Sequence, residues 1–515
     1  GHEIASMSTA SSRRALLASL LLLFASPVRG VLLQPLALRA TARVSALRHS
    51  ATPLVCLASK KGGKGAKKKA QTSSGRGFGA QSAAKPAAKP ISEEQRLADE
   101  QKLEWRTFER WLSTNGAILD AVELADCGGG LRGVRATCNL KAGEELFRMP
   151  RELILDEDAA DESAVAALWG GSEREVALPA HVRLALLILH ELRLGEQSAA
   201  APYLRMLPSP EDFAADGGPA STWSDDELAA CGCAKLQADA QQKRAGLADD
   251  LAAARVAPRW TELGLPGEPP SAEEVAWAVA AVTSRAYSAT PAADAPAQSM
   301  MIPMADMANH VHPVHTVKGL SEDGAYFIVL AREPIKKGEQ VFVSYGALPC
   351  LTLLLQFGFV PPSSLKVVDE TDFGLVDCAP LLASVAAQAK AGAEEGPLEH
   401  LAAEGLLMRE RGGAVSAWQP TGASLRAALL ALATDSVQLP AASSAVGAQA
   451  AADAAYTALL RGTLETAGGT AADDRAALRA GGLAPRARLA LEFRTAQRVL
   501  LNAELAAAAA SKASF

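Results

Sequence analysis

The stretch Ile302-Pro-Met-Ala-Asp306-Met-Ala-Asn309-His310 decides how this chain is read. Asp, Asn and His favour surfaces and turns, where water satisfies their hydrogen-bonding groups. Three of them set among Met304, Met307 and Ala308 mark a site rather than ordinary core. Further along stands Gly338-Glu-Gln-Val-Phe-Val-Ser-Tyr345-Gly346, an apolar-alternating strand ending on a Tyr-Gly turn. The two segments are expected to fold together around one ligand. Neither has the spacing of a phosphate loop, a nucleophile elbow or a zinc-protease helix.

Around that centre, 515 residues at 49% hydrophobic content can bury sizeable cores in more than one domain. Abundant Ala and only 5% aromatics point to much helix with low-complexity spacer. The net charge of -6 conceals an asymmetry, because residues 1–90 hold 15 Lys or Arg and a single acid, Glu3. Taking these from totals of 51 and 57 leaves 36 basic and 56 acidic residues, a balance near -20 for the body. Such a body makes a poor nucleic-acid binder, since phosphate contacts need a basic face.

From Met7, Arg13-Arg14 precede an apolar run, Ala15–Ala25, and small residues at Ser26–Gly30, the order of a secretory signal. The run is too short to span a bilayer, so no permanent membrane anchor is expected. No acid occurs from Ile4 to Ser92, and Val31–Ser59 is rich in Ala, Leu, Arg and Ser, as in organelle transit peptides. A signal followed by a transit segment resembles the bipartite presequences of algae with complex plastids; plain secretion and a simple organelle presequence are the alternatives. Residues 1–59 are therefore read as targeting. Residues 60–92, a Gly/Ala/Ser/Lys tract including Lys67-Lys68-Lys69, are read as a disordered basic linker.

Order is expected from Ser92, with Trp105, Phe108, Trp111 and Leu112 at helical spacing. Gly128–Thr137, Lys141-Ala-Gly143-Glu144 and Glu145–Pro150 read as strand, tight turn and strand. His181–Leu194 is too apolar all round for a surface helix. Ser224-x-x-Glu227 and Ser271-x-x-Glu274 are capping boxes, the second opening an apolar helix that ends near Arg285. A guanidinium there needs an anionic partner or must snorkel to solvent. Tyr326–Leu330 and Val341–Ser344 read as strands joined through Lys337-Gly338-Glu339, and Leu351–Val360 as a short helix. Near the end, Leu489, Phe493, Ala496, Leu500 and Ala503 share one helix face, with Arg494, Gln497 and Arg498 placed outside.

The paired strands after Gly128, the Ile302–His310 motif and Val341–Gly346 together resemble a SET domain split by a helical insert. More closely, the chain resembles the Rubisco large-subunit methyltransferase branch, supported by Leu184-Ala-Leu-Leu187, Ala201–Pro208, Thr283-Ser-Arg-Ala286, Leu353–Phe359 and Arg488–Leu505. The resemblance implies an α+β architecture. A β-rich SET domain over 93–360, interrupted at about 160–280, would precede an all-α substrate-binding domain over 361–515. It implies a protein-lysine methyltransferase using S-adenosylmethionine, with protein-histidine methylation or a silent SET-fold binding module as alternatives. Gly130, Leu131, Arg132 and Gly133 would offer backbone to the cofactor, and Arg285 would meet its carboxylate. Asn309 and His310 would hold its amino-acid end and adenine, and Phe357 would border it. Asp306 and Arg285 would lie at the substrate, and Tyr345 beside the transferring methyl as positioner and electrostatic stabiliser. Two departures stand out: Leu348-Pro349-Cys350 replaces the common Lys-Ser-Asn, and Phe357 stands where Tyr is frequent.

His310-x-His312-x-x-His315 does not fit one helical face and Pro313 interrupts it, so no metal is expected. Seven scattered cysteines form neither a metal nor a disulfide pattern. The expected partner is a protein presenting a lysine, with the Rubisco large subunit or aldolase as candidates, the enzyme a monomer in the plastid stroma.

Overall fold

The computed structural model describes residues 93–128, 130–170, 176–290, 296–311, 314–346, 348–361, 407–409, 418–420, 429–430 and 445–513. The expected targeting and linker segments, His312 with Pro313, and most of 362–444 lie outside them. Helix α1 (Glu93–Thr114) opens the described chain and buries Trp105, Phe108 and Leu112, the apolar stripe its spacing predicts. Phe108 stacks on Trp111 at 6.0 Å and on Tyr203 at 6.3 Å, which fixes the helix to the insert.

Up to Val343, ten short strands of the described residues form three small sheets. β1 (Val122–Asp126), β2 (Arg132–Ala136), β7 (Asn309–His310) and β10 (Gln340–Val343) lie in the order β1-β2-β10-β7. β3 (Glu145–Pro150), β8 (Thr316–Leu320) and β9 (Tyr326–Ala331) form β3-β9-β8, and β4 (Leu155–Asp156), β5 (Tyr287–Ala289) and β6 (Gln298–Met301) form β4-β6-β5. The Gly143 turn is present, with φ +85° and Glu144 N–H donating to Lys141 O at 3.1 Å. The strands it joins nevertheless do not pair: β2 lies between β1 and β10, whereas β3 pairs with β9. The Gly338 turn likewise carries the chain from the β9 sheet to the β10 sheet. Both turns therefore cross between sheets, which the alternation of apolar residues alone could not reveal. β1 was not anticipated, although Val122 and Leu124 alternate and both are buried.

Between β4 and β5 the chain is mainly helical. In α2 (Ala180–Leu194) Val182 and Leu184–Leu189 are buried, as its all-round apolar character requires. Each such Leu or Ile contributes about 1.5–3 kcal/mol through burial. α3 (Ala234–Ala253) comes next, and α4 (Ala272–Thr283) packs along α2; both expected capping boxes are formed, at Ser224 and Ser271. One large core joins α1, α2, α4 and the inner faces of the sheets.

The C-terminal part contains α5 (Ala445–Thr466), α6 (Ala471–Ala480) and α7 (Pro485–Ala513). It is not purely helical, since β11 (Leu407–Arg409) pairs antiparallel with β12 (Trp418–Pro420), and Gly412-Gly413 lies between them in sequence. On α7, Phe493, Ala496 and Leu500 are buried as expected, in a second core shared with Trp223 and Leu355. Arg494, Gln497 and Arg498 are not outside, however: Gln497 is fully buried, and both arginines meet the buried Asp474 of α6. An anionic partner on the neighbouring helix lets the two guanidinium groups sit inward. One backbone approach depends on glycine: Gly358 has φ +76°, and a Cβ there would meet Gly218 C at 2.4 Å. This holds the segment after Tyr345 against the insert.

Candidate active site

The two segments singled out in sequence lie side by side. β7 runs parallel to β10 with Phe342 opposite Asn309 and Val343 opposite His310, and Val311 N–H donates to Val343 O at 3.1 Å. Tyr345 therefore emerges against the end of the Asp306–His310 segment. Its hydroxyl donates to Ala308 O at 2.9 Å, and its backbone N–H donates to His310 Nδ1 at 3.1 Å. The accepting Nδ1 fixes the neutral His310 ring as the Nε2–H form. The His310 and Tyr345 rings stack at 5.0 Å, Phe357 stacks on the other side at 4.7 Å, and Phe359 closes the cluster edge-on at 6.4 Å from Tyr345. Phe357 reaches this place because the short helix there ends in a π turn, Leu353–Phe357. Burial pushes the Tyr345 hydroxyl up to about 12, so it works as a neutral donor at ordinary pH.

Behind this aromatic wall is a polar knot. Asp306 is fully buried; its Oδ2 accepts from Tyr203 Oη at 2.9 Å and lies 3.7 Å from Arg285 Nη1. Arg285 Nη1 also donates to Asp306 O at 3.0 Å, so the arginine just beyond α4 has found the anionic partner its position demands. Burial raises the Asp306 carboxyl, with Arg285 and the Tyr203 hydroxyl pulling the other way. Arg132 donates to Met206 O at 2.8 Å; burial and the nearby Arg285 cation bring it down to about 10. Met304, entering the motif, has φ +68°, a left-handed conformation that a non-glycine residue keeps only where its surroundings impose it. Tyr287 Oη caps the adjacent Ala305 O at 2.7 Å.

The glycine-edge residues divide. Gly133 is buried, and a Cβ there would meet Cys127 Sγ and Gln340 Nε2 at 2.7 Å and Asn309 Nδ2 at 2.9 Å. Asn309 Nδ2 donates to Arg132 O at 3.0 Å, tying β2 to β7 across the sheet. Gly130 and Leu131 are exposed on the loop from β1 to β2, with Leu131 N–H and C=O both bonded inside that loop. The structure thus gathers Arg132, Gly133, Arg285, Asp306, Asn309, His310, Tyr345 and Phe357, and leaves Gly130 and Leu131 at the rim. Sequence reasoning missed Tyr203, Tyr287 and Lys318. Among the described residues, no group of three or more His, Cys, Asp or Glu is placed to hold a metal.

Arg285 Nε is buried without a partner, a spare N–H at a cationic face. A carboxylate-bearing ligand fits such a donor. The neighbouring π faces and the close approach over Gly133 suit a compact methyl group.

Helix-interrupted small sheets, with β7 tucked beside β10, define the class of fold, and residues 131–346 match the SET domain family model. In structure the chain is similar to the SET domain of LSMT bound to lysine and AdoHcy, at TM-score 0.54 and 19% identity over 80% of this chain and 92% of that one. It is also similar to Rubisco LSMT bound to AdoMet, at TM-score 0.54 and 19% identity over 79% and 92%. Among curated proteins it is similar to the actin-histidine N-methyltransferases of Homo sapiens and Gallus gallus, each 26% identical over 255 residues, 48% of this chain and 41% of theirs. The chain thus spans about two fifths of the length of the curated relatives it matches.

Proposed function

We propose that this chain is an S-adenosylmethionine-dependent protein N-methyltransferase acting on a lysine side chain of a non-histone protein. The observation that carries the reading is the placement of Arg285, Asn309, His310 and Tyr345, from three separate stretches of sequence, around one polar and aromatic site. The SET fold and the similarity to proteins named as methyltransferases support it.

S-adenosylmethionine supplies an electrophilic methyl on a sulfonium, so transfer needs alignment and a dry, electron-rich passage rather than a metal or a covalent enzyme intermediate. Arg285 would hold the carboxylate end, its Nε–H having no partner within the protein. Gly133 allows a close backbone approach. His310, Tyr345, Phe357 and Phe359 present π faces that would shield the methyl from water. Tyr345 is a positioner: its hydroxyl is fixed on Ala308 O and can align an acceptor lone pair. An acceptor lysine, ordinarily near pKa 10.4, must arrive neutral, and burial among these rings pushes it that way.

A second reading, methylation of a protein histidine, is favoured by the named activity of the curated relatives. The plastid location and the Rubisco large subunit or aldolase as targets belong to the proposal through the acid-free Ile4–Ser92 segment alone. The enzyme is taken to act as a monomer. The test is incubation of the full chain with methyl-labelled S-adenosylmethionine and each candidate protein, beside a Tyr345→Phe control. Label on lysine carries the proposal and label on histidine carries the second reading. Failure of the wild-type chain to bind S-adenosylhomocysteine or transfer label overturns both.

A further inference from the structure

Lys318 makes none of the contacts that join Arg285, Asp306 and Tyr203, yet it borders the same site. On β8, Thr316 and Lys318 point to the same face, and both reach main-chain carbonyls beyond their own sheet. Thr316 Oγ1 donates to Phe342 O at 2.8 Å, and two residues on, Lys318 Nζ donates to Ser344 O at 2.7 Å. The ammonium also lies 3.9 Å from the centroid of the Tyr287 ring. It is thus held between the carbonyl preceding Tyr345 and a ring whose own hydroxyl caps Ala305 O.

We propose that Lys318 is the resident cation of the acceptor side of this site, and that its charge disfavours a second cation beside Tyr345, so that an amine entering there is selected in its neutral form. The inference rests on the methyltransferase reading and deepens it. Among the described residues no carboxylate pairs with Lys318. Around Tyr345 the charged groups are Arg285, Arg132 and Asp306, and the one carboxylate among them is engaged by Arg285 and Tyr203. With Lys318 beside them, cations outnumber the single carboxylate at this site, and burial lowers Lys318 itself to about 8, so its charge can be titrated.

Two probes that differ by one charge read this potential directly: S-adenosylmethionine, a sulfonium, and S-adenosylhomocysteine, the neutral thioether. Their amino-acid ends are the same and cancel in the ratio of their affinities, measured by calorimetry on the full chain. In the wild type the sulfonium should gain about tenfold relative to the thioether between pH 7 and pH 9.5, a size set by one unit charge in a partly buried site. Lys318→Met should show the gained ratio already at pH 7 and no further change. Lys318→Arg should keep the low ratio at both pH values. The wild-type titration needs no variant, so poor folding of either substitution leaves the test intact. Thioether binding with a ratio that does not change with pH overturns the role of Lys318 alone. Absence of binding by either probe overturns the methyltransferase reading and this inference with it.

Discussion

Arg285 holds Asp306 twice, with Nη1 3.0 Å from the backbone oxygen and 3.7 Å from Oδ2. The arginine thus fixes the chain conformation of the motif and shares the charge of its side chain. Tyr203, from the helical insert, takes the same Oδ2. Asp306 is therefore an internal strut between α4, the insert and the segment that carries Asn309 and His310.

Removing that strut should be costly. Asp306→Ala strands Arg285 and Tyr203 in the interior, and breaking a buried pair from one side costs about 3–5 kcal/mol. Asp306→Asn retains an acceptor for Tyr203 and should lose less. Urea denaturation of the full chain checks the order, and equal stability of wild type and Asp306→Ala would contradict it.

Arg285→Ala should weaken binding of S-adenosylhomocysteine sharply, because the spare Nε–H is lost with the cation. A charge-assisted hydrogen bond of this kind is worth about 1.5–3 kcal/mol, or roughly 10–150-fold in affinity. Arg285→Lys keeps the charge but not the fork, and should fall between. Unchanged affinity in calorimetry refutes the assignment.

Tyr345→Phe separates binding from transfer. The ring still stacks between His310 and Phe357, so thioether affinity should change little. The hydroxyl on Ala308 O is gone, and losing one preorganised polar group lowers turnover by about 10²–10³-fold. Loss of thioether binding in parallel would show that the hydroxyl serves the fold instead.

The legibility of each site residue in sequence depends on how it announces itself. Asp306, Asn309 and His310 are closely spaced polar residues in an apolar run, and Tyr345 ends an alternating strand, so both segments were readable. Arg285 was readable because a charge beside an apolar helix demands a partner; that the partner is Asp306 depends on tertiary packing. Tyr203 meets Asp306 across 103 positions, and a lone Tyr in Pro202-Tyr203-Leu204 carries no spacing signal. Lys318 offered only a weak clue, its place two residues from Thr316 on one strand face. The two glycine turns were legible as turns but not as crossings between sheets, because local alternation says nothing about the partner strand.

Gly133→Ala should disturb the site without removing any polar group. The added methyl meets Cys127 Sγ, Gln340 Nε2 and Asn309 Nδ2, all closer than 3.0 Å. Overpacking of this kind costs about 1–3 kcal/mol. The Asn309–Arg132 tie is the nearest hydrogen bond to yield, so affinity for the thioether should fall along with stability. Retained binding in a destabilised protein would place the ligand away from the β2–β7 edge.

Lys318 gives a stability signature with a definite sign. Its folded value, about 8, lies below the ordinary 10.5, so between these values the unfolded chain binds the extra proton. Stability then rises with pH across that window, and the gain is lost as pH falls through the folded value. All other titratable groups are common to wild type and Lys318→Met, so the difference between the two reports on the lysine. Urea denaturation at intervals from pH 7 to 10.5 should show wild type gaining on Lys318→Met as pH rises through the window. A constant difference would mean that the ammonium is as well accommodated in the fold as in water, and that burial between Ser344 and Tyr287 costs it nothing.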